Sequence, residues 1–185
     1  MFNAIKTSMK ILNNLRIKYC FVGGYPAYVH MLKARKIPRA YRDIDILIPF
    51  DSELKSIHDA LQDEGWEPFR SDPIHAFSDP VYRQKEFALG HCAACYSTSP
   101  FAKSDPIDLL LNFPPFEVMD VIDRAILFDG DIPLACIPDL IANKHIAAGD
   151  PKRIKKHAQD RADAAALQSI LESVGRDQVG AGSRG

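Results

Sequence analysis

Arg39-Ala40-Tyr41-Arg42-Asp43-Ile44-Asp45-Ile46-Leu47-Ile48 is the stretch on which the fold turns. From Asp43 onward, residues alternate: Ile44, Ile46 and Ile48 share one face, Asp43, Asp45 and Leu47 the other. A period of two predicts a strand over 43–48 with one packed face. Aspartates at i and i+2 then project from the same face, about 6.6 Å apart along the strand. At that spacing both carboxylates can converge on one hard cation. Mg²⁺ typically takes one or two protein carboxylates and completes its shell with water and substrate phosphate. The same pattern also describes a solvated strand face, so the pair must be read with its surroundings.

Upstream, Tyr19-Cys20-Phe21-Val22 is an apolar, aromatic run that stops at Gly23-Gly24. It reads as a buried strand feeding a tight turn. Pro26 suits the first turn of a helix carrying Ala27, Tyr28, Met31 and Leu32. A glycine pair is ordinarily just a turn. Its functional reading is that bare backbone lets a triphosphate approach amide N–H groups and a helix N-terminus. Downstream, Ile107, Leu109 and Leu111 alternate with Asp108, predicting a second strand. If the two strands are neighbours, three carboxylates meet. Such a cluster repels itself and makes sense chiefly with a metal. Two metals about 4 Å apart would activate an attacking oxygen and stabilise a departing pyrophosphate.

The rest of the chain frames these motifs. Ile5, Met9, Leu12 and Leu15 recur at helical spacing, predicting a helix over 2–16. Ser52 can cap a helix with Leu54, Ile57 and Leu61 inside and Gly65 at its end. Residues 66–104 hold Pro68, Pro73, Pro80 and Pro100 and read least clearly, with a strand over Val81 to Leu89. Phe116, Met119, Ile122 and Ile126 mark a helix, and Asp139 to Ala148 another, closing at Gly149. Asp150-Pro151 opens a long helix through Leu171, ended by Gly175. The expectation is one domain over 1–175, helical from 138 to 175, and a disordered Gly-rich tail over 176–185.

Composition sets outer limits. The chain has 185 residues, enough to bury roughly 70% of its unfolded surface without staples. Lys and Arg number 23 against 24 Asp and Glu, so a strongly basic nucleic-acid coat is excluded and only a local patch remains open. No apolar run approaches the ~20 residues of a membrane span. Without a secretion signal, the expected compartment is the cytoplasm, with Cys20, Cys92, Cys95 and Cys136 reduced.

The order strand, Gly23-Gly24, helix, then Arg39-x-x-x-Asp43-Ile44-Asp45, then Asp108 on a later strand resembles the nucleotidyltransferase superfamily. It is most similar to the compact branch that contains AbiEii-type toxins, whose pattern reads roughly G-G, then R-x-T-x-D-[IL]-D-[IL]. Tyr41 stands where that family usually has a small hydroxyl residue. The segment Ile137 to Lys144 resembles the family's helix that presents a lysine, and Asp160-Arg161-Ala162-Asp163 its closing acidic helix.

The resemblance implies an α/β (α+β) fold, a nucleotidyltransferase-like mixed sheet flanked by helices with a helical C-terminal part. It implies a metal-dependent transfer of a nucleoside monophosphate from a nucleoside triphosphate to a hydroxyl acceptor. Asp43, Asp45 and Asp108 would be catalytic and would hold Mg²⁺ or Mn²⁺. Gly23, Gly24, Arg39 and Lys144 would bind the nucleotide. The acceptor is left open between tRNA, a protein and a small molecule. The branch also implies a toxin–antitoxin or phage-defence setting with an antitoxin partner. Two alternatives stand beside this: a non-catalytic nucleotide-binding module of the same fold, and a protein-interaction module.

Other motifs carry less. Arg42 reads as a neutraliser of the acidic pair. Lys144 is either a phosphate contact or a solvated lysine. His91-Cys92-Ala93-Ala94-Cys95 contains a C-x-x-C, but no second ligand pair lies at zinc spacing, so these thiols are read as metal-free. Lys152, Arg153, Lys155, Lys156, His157 and Arg161 form a basic run. Such a run is usually a solvated face; near an active cleft it could guide RNA or a nucleotide.

Overall fold

A mixed sheet is built from short, apolar strands, and its order explains why two distant acidic motifs can meet. The structure, a computed structural model, describes residues 2–49, 52, 54–68, 92–97 and 106–181. The strands are β1 (Cys20–Val22), β2 (Ile44–Leu47), β3 (Glu67–Pro68), β4 (Cys92–Ser97), β5 (Ile107–Leu110), β6 (Ile126–Phe128) and β7 (Ile132–Leu134). They lie in the order β3-β4-β5-β2-β1-β7-β6. The pairs β2–β5 and β1–β7 are parallel; β1–β2, β3–β4, β4–β5 and β6–β7 are antiparallel.

Among the described residues, six helices accompany the sheet: α1 (Phe2–Asn14), α2 (Gly24–Lys33), α3 (Leu54–Asp63), α4 (Val118–Asp123), α5 (Ile137–Ala147) and α6 (His157–Ala181). A 3₁₀ turn, Pro151–Lys156, precedes α6. On one face, Ile44, Ile46 and Ile48 pack with Ile5 and Leu12 of α1 and Ile57 and Leu61 of α3. On the other, Val22 and Leu47 pack with Met31 of α2, Leu140 of α5, and Leu167 and Ile170 of α6. The expectation of one packed face for 43–48 is therefore too narrow. Leu47 is fully buried, because the C-terminal helices fold back over the face that also carries the aspartates.

Several boundaries follow the sequence signals. Gly65 adopts φ +81 just after α3, and Trp66 N–H donates to the Leu61 carbonyl at 2.9 Å. That left-handed residue is the usual glycine stop. Pro138 sits in the first turn of α5, where its missing N–H costs nothing.

Others differ. Ile126, expected on a helix with Phe116, Met119 and Ile122, starts β6 instead. Asp129 and Gly130 both have positive φ, 51° and 89°, and turn β6 into β7 with Ile126 opposite Leu134. An Asp-Gly pair between apolar runs is a strong hairpin signal, and it outweighs a helical period of four residues. Cys136 is the extended residue that precedes the first turn of α5. The helix expected from Pro151 begins as a 3₁₀ turn broken at Arg153, with the α-helix starting at His157. It then runs through Gly175 and Gly180 to Ala181, since each glycine costs only about 1 kcal/mol in a helix. The expected strand over 81–89 lies outside the described residues.

Candidate active site

Strand register assembles the acidic site. The antiparallel pairing of β1 and β2 sets Val22 opposite Asp45, and the parallel pairing of β2 and β5 sets Asp45 beside Asp108. Asp43 shares the face of Asp45 two residues earlier. One carboxylate oxygen from each of Asp43, Asp45 and Asp108 lies within 4.8 Å of the other two. An all-carboxylate donor set suits a hard divalent cation such as Mg²⁺ or Mn²⁺ and has no thiolate or imidazole to favour a softer one.

The electrostatics point the same way. Burial above all, then the charges of Asp43 and Asp108, pushes the Asp45 carboxyl up to about 7, while Lys144 and Lys156 pull it down. Three carboxylates this close resist full ionisation unless a cation joins them.

Gly23 and Gly24 follow β1 directly and open α2, with Gly23 as the residue before its first turn. Gly23 has φ +71, and a β-carbon there would stand 1.9 Å from Asp45 Oδ2. Its bareness makes room for the Asp45 carboxylate itself. Gly24 is less constrained; a β-carbon there would meet Tyr41 Cβ at 3.1 Å. Tyr41 packs against the rings of Tyr25 and Tyr28, each at 5.2 Å between centroids.

Above the carboxylates opens a cleft of about 500 Å³. Gly23, Gly24, Asp43, Asp45, Asp108 and Lys144 all line it, joined by Asn112, Arg153, Lys156 and Asp160. Arg39 does not line it. Its guanidinium bonds Asp163 Oδ2 at 3.1 Å and its own neighbour's carbonyl, Ala40 O, at 2.8 Å.

Lys144 is buried, and its ammonium bridges Asp160 Oδ1 at 2.8 Å and Asp163 Oδ2 at 3.1 Å. Arg153 adds a contact to Asp160 Oδ2 at 3.1 Å. The result is a chain of charges, Arg39–Asp163–Lys144–Asp160–Arg153, joining the segment before β2 to α5, the 3₁₀ turn and α6. Burial works to raise Asp160, but hydrogen bonds and charge from Lys144 and Arg153 hold it below the usual carboxylate range. Asp160 and Asp163 are the residues that sequence reasoning did not place in the site. Their i, i+3 spacing puts both on one helix face, and an unmatched lysine on another helix is the signal that could have found them.

Of the cysteines, Cys20 and Cys136 are free thiols, and burial pushes the Cys20 thiol up to about 12. His91 and the side chains of Cys92 and Cys95 lie outside the described residues. No helix among the described residues is long and apolar enough to cross a membrane.

With this geometry in hand, two solved structures compare with the chain. The solution structure of the antibiotic-resistance factor ANT(2'')-Ia superposes with a TM-score of 0.50 at 10% identity, over 97% of this chain and 92% of that one. The fold is nucleotidyltransferase-like. The crystal structure of ANT(2'')-Ia in complex with adenylyl-2''-tobramycin gives 0.48 at 11% identity, over 92% of this chain and 99% of that one. No family model and no curated protein matches the sequence. In this nucleotidyltransferase-like fold the acidic triad occupies the middle of the sheet, with Asp43 just before β2, Asp45 on β2 and Asp108 on β5, and the glycine turn meets it from β1.

Proposed function

We propose that this chain is a metal-dependent nucleotidyltransferase that moves a nucleoside monophosphate from a nucleoside triphosphate to an acceptor hydroxyl. The observation that carries the reading is the convergence of Asp43, Asp45 and Asp108 within 4.8 Å at the floor of a cleft that a glycine turn and a helix N-terminus also line. Asp43 and Asp45 would hold Mg²⁺ or Mn²⁺, and Asp108 would share it. The cation supplies charge neutralisation of the triphosphate and lowers the cost of ionising the acceptor. Gly23 and Gly24 present bare backbone at the start of α2, where the helix N-terminus favours phosphate.

In the transfer, the acceptor oxygen forms a bond to the α-phosphorus as the bond from that phosphorus to the bridging oxygen breaks, and pyrophosphate leaves. Asp108 takes the acceptor's proton. The nearby carboxylates repel an approaching anion until they are neutralised, so triphosphate and cation are expected to bind together.

The acceptor stays open between tRNA, a protein and a small molecule, and the likeness to the antibiotic-resistance factor ANT(2'')-Ia makes a small molecule worth testing first. A cytoplasmic, AbiEii-like toxin–antitoxin or phage-defence role, with an antitoxin partner, rests on the sequence motifs alone. A second reading, a nucleotide-binding module without turnover, is favoured by Tyr41. Its ring packs with Tyr25 and Tyr28, so the small hydroxyl of the resembling family has no counterpart here.

The test is incubation with each of four labelled nucleoside triphosphates, Mg²⁺ or Mn²⁺, and separate pools of total tRNA, protein and aminoglycosides. Label transferred to one pool supports the enzyme and names its acceptor class. Tight triphosphate binding with no transfer to any pool supports the module. Absence of triphosphate binding under all conditions overturns both.

A further inference from the structure

We propose that Lys156, at the end of the 3₁₀ turn, is the cation that binds the polyphosphate tail of the nucleotide in the acidic cleft. This deepens the nucleotidyltransferase reading above and rests on it.

A nucleotide's triphosphate carries more negative charge than a divalent cation cancels, so the cleft must present a protein cation that is not already neutralised. Lys144 reaches the cleft, but its ammonium is committed. It is buried and bridges Asp160 and Asp163, two carboxylates against one ammonium. Freeing it would leave two buried carboxylates with only Arg39 and Arg153 as partners, and breaking a buried pair is costly. Arg153 also lines the cleft, and one of its terminal nitrogens is held by Asp160. Arg39 is turned toward Asp163 outside the cleft.

Lys156 differs from all three. It lines the same cleft as the triad, is exposed, and makes no ion pair or hydrogen bond among the described residues. A lysine with a long stem and three rotatable donors can follow phosphate oxygens as a point charge without demanding one geometry. The turn that presents it is anchored, since Arg153 N–H and the His157 ring both bond the Asp150 carbonyl, at 2.9 and 2.6 Å.

The experiment measures binding of Mg²⁺-tripolyphosphate and of each of the four common Mg²⁺-nucleoside triphosphates to the full chain by calorimetry. Lys156→Gln is expected to weaken all five by a similar factor, about tenfold or more, as befits a lost charged hydrogen bond that does not read the base. Its melting temperature should match wild type, because no hydrogen bond or ion pair among the described residues uses this ammonium. Lys156→Arg should recover most of the affinity. Lys155→Gln, one residue away and outside the cleft lining, should bind as wild type does. Affinity for Lys156→Gln within twofold of wild type overturns the assignment while leaving the proposed function standing. So does an equal loss in Lys155→Gln, which would mean a diffuse basic field, or a loss confined to one base. A wild-type protein that binds none of the five overturns the functional reading and this inference with it.

Discussion

Gly23 is the residue that Asp45 leans against: a β-carbon on Gly23 would sit 1.9 Å from Asp45 Oδ2, closer than any non-bonded atom can be. The carboxylate occupies the volume that any other side chain would need. Backbone conformation compounds this, because φ +71 with ψ −133 suits glycine almost alone.

Gly23→Ala is therefore expected to destabilise the fold by about 1–3 kcal/mol from backbone strain and to drive the Asp45 carboxylate out of the triad. Mn²⁺ titration should show lost cation binding together with a lower melting temperature. Gly24→Ala needs the Tyr41 Cβ to give by only a few tenths of an ångström and should keep both properties. Equal behaviour of the two variants would remove the special role of Gly23.

The raised Asp45 value makes the metal-free protein pH-sensitive. Its carboxyl moves from 3.8 to about 7 on folding, so the folded state binds this proton more tightly than the unfolded state. The sign follows: the stabilisation is full below the ordinary carboxyl range and is lost as pH rises through about 7. Melting temperature without metal should drop between about pH 4 and pH 7 and level off above. Added Mn²⁺ should raise it more at the higher pH, because a ligand carboxylate must first ionise. Asp45→Asn should flatten this component of the profile and abolish the Mn²⁺ response.

Asp108→Asn separates turnover from binding. Asparagine keeps the shape and one acceptor oxygen but loses the charge. Triphosphate affinity is expected to stay within about tenfold, or ~1.4 kcal/mol, while transfer falls by about a hundredfold or more. Single-turnover transfer measured beside equilibrium binding gives the answer. Undiminished transfer would exclude Asp108 as the acceptor's base.

Lys144 is expected to matter first for stability. Lys144→Ala leaves Asp160 and Asp163 buried with only the flanking Arg39 and Arg153 as partners, and removing one partner of a buried pair costs about 3 kcal/mol or more. Chemical denaturation should show the loss with or without nucleotide. A variant that melts like wild type but loses triphosphate affinity would restore Lys144 to the phosphate-binding role its motif implies.

Much of this was legible from residues alone, for physical reasons. A strand's period of two is local, so the shared face of Asp43 and Asp45 could be read from five residues, and the β2–β5 register bears out the neighbouring of Asp108. Charge pairing across the fold is not local. Nothing near Lys144 in sequence announces that Asp160 and Asp163 will neutralise it, since the pairing depends on how α5 packs on α6. The hairpin at Asp129-Gly130 was missed because four apolar residues at helical spacing looked stronger than two turn residues. The burial of Leu47 was hidden because a strand cannot reveal what covers its second face.

The parallel pairing of β2 with β5 has a consequence for how the site comes into being. Asp45 and Asp108 are neighbours in the sheet but far apart along the chain. A chain emerging from the ribosome with β2 complete carries two aspartates and a glycine turn, yet no third ligand. β1 at that stage also lacks β7, its partner on the other side, which is made later still. Loop closure over such distances is slow compared with helix formation. The acidic centre is thus a late product of folding: chains interrupted before residue 108 are born without it.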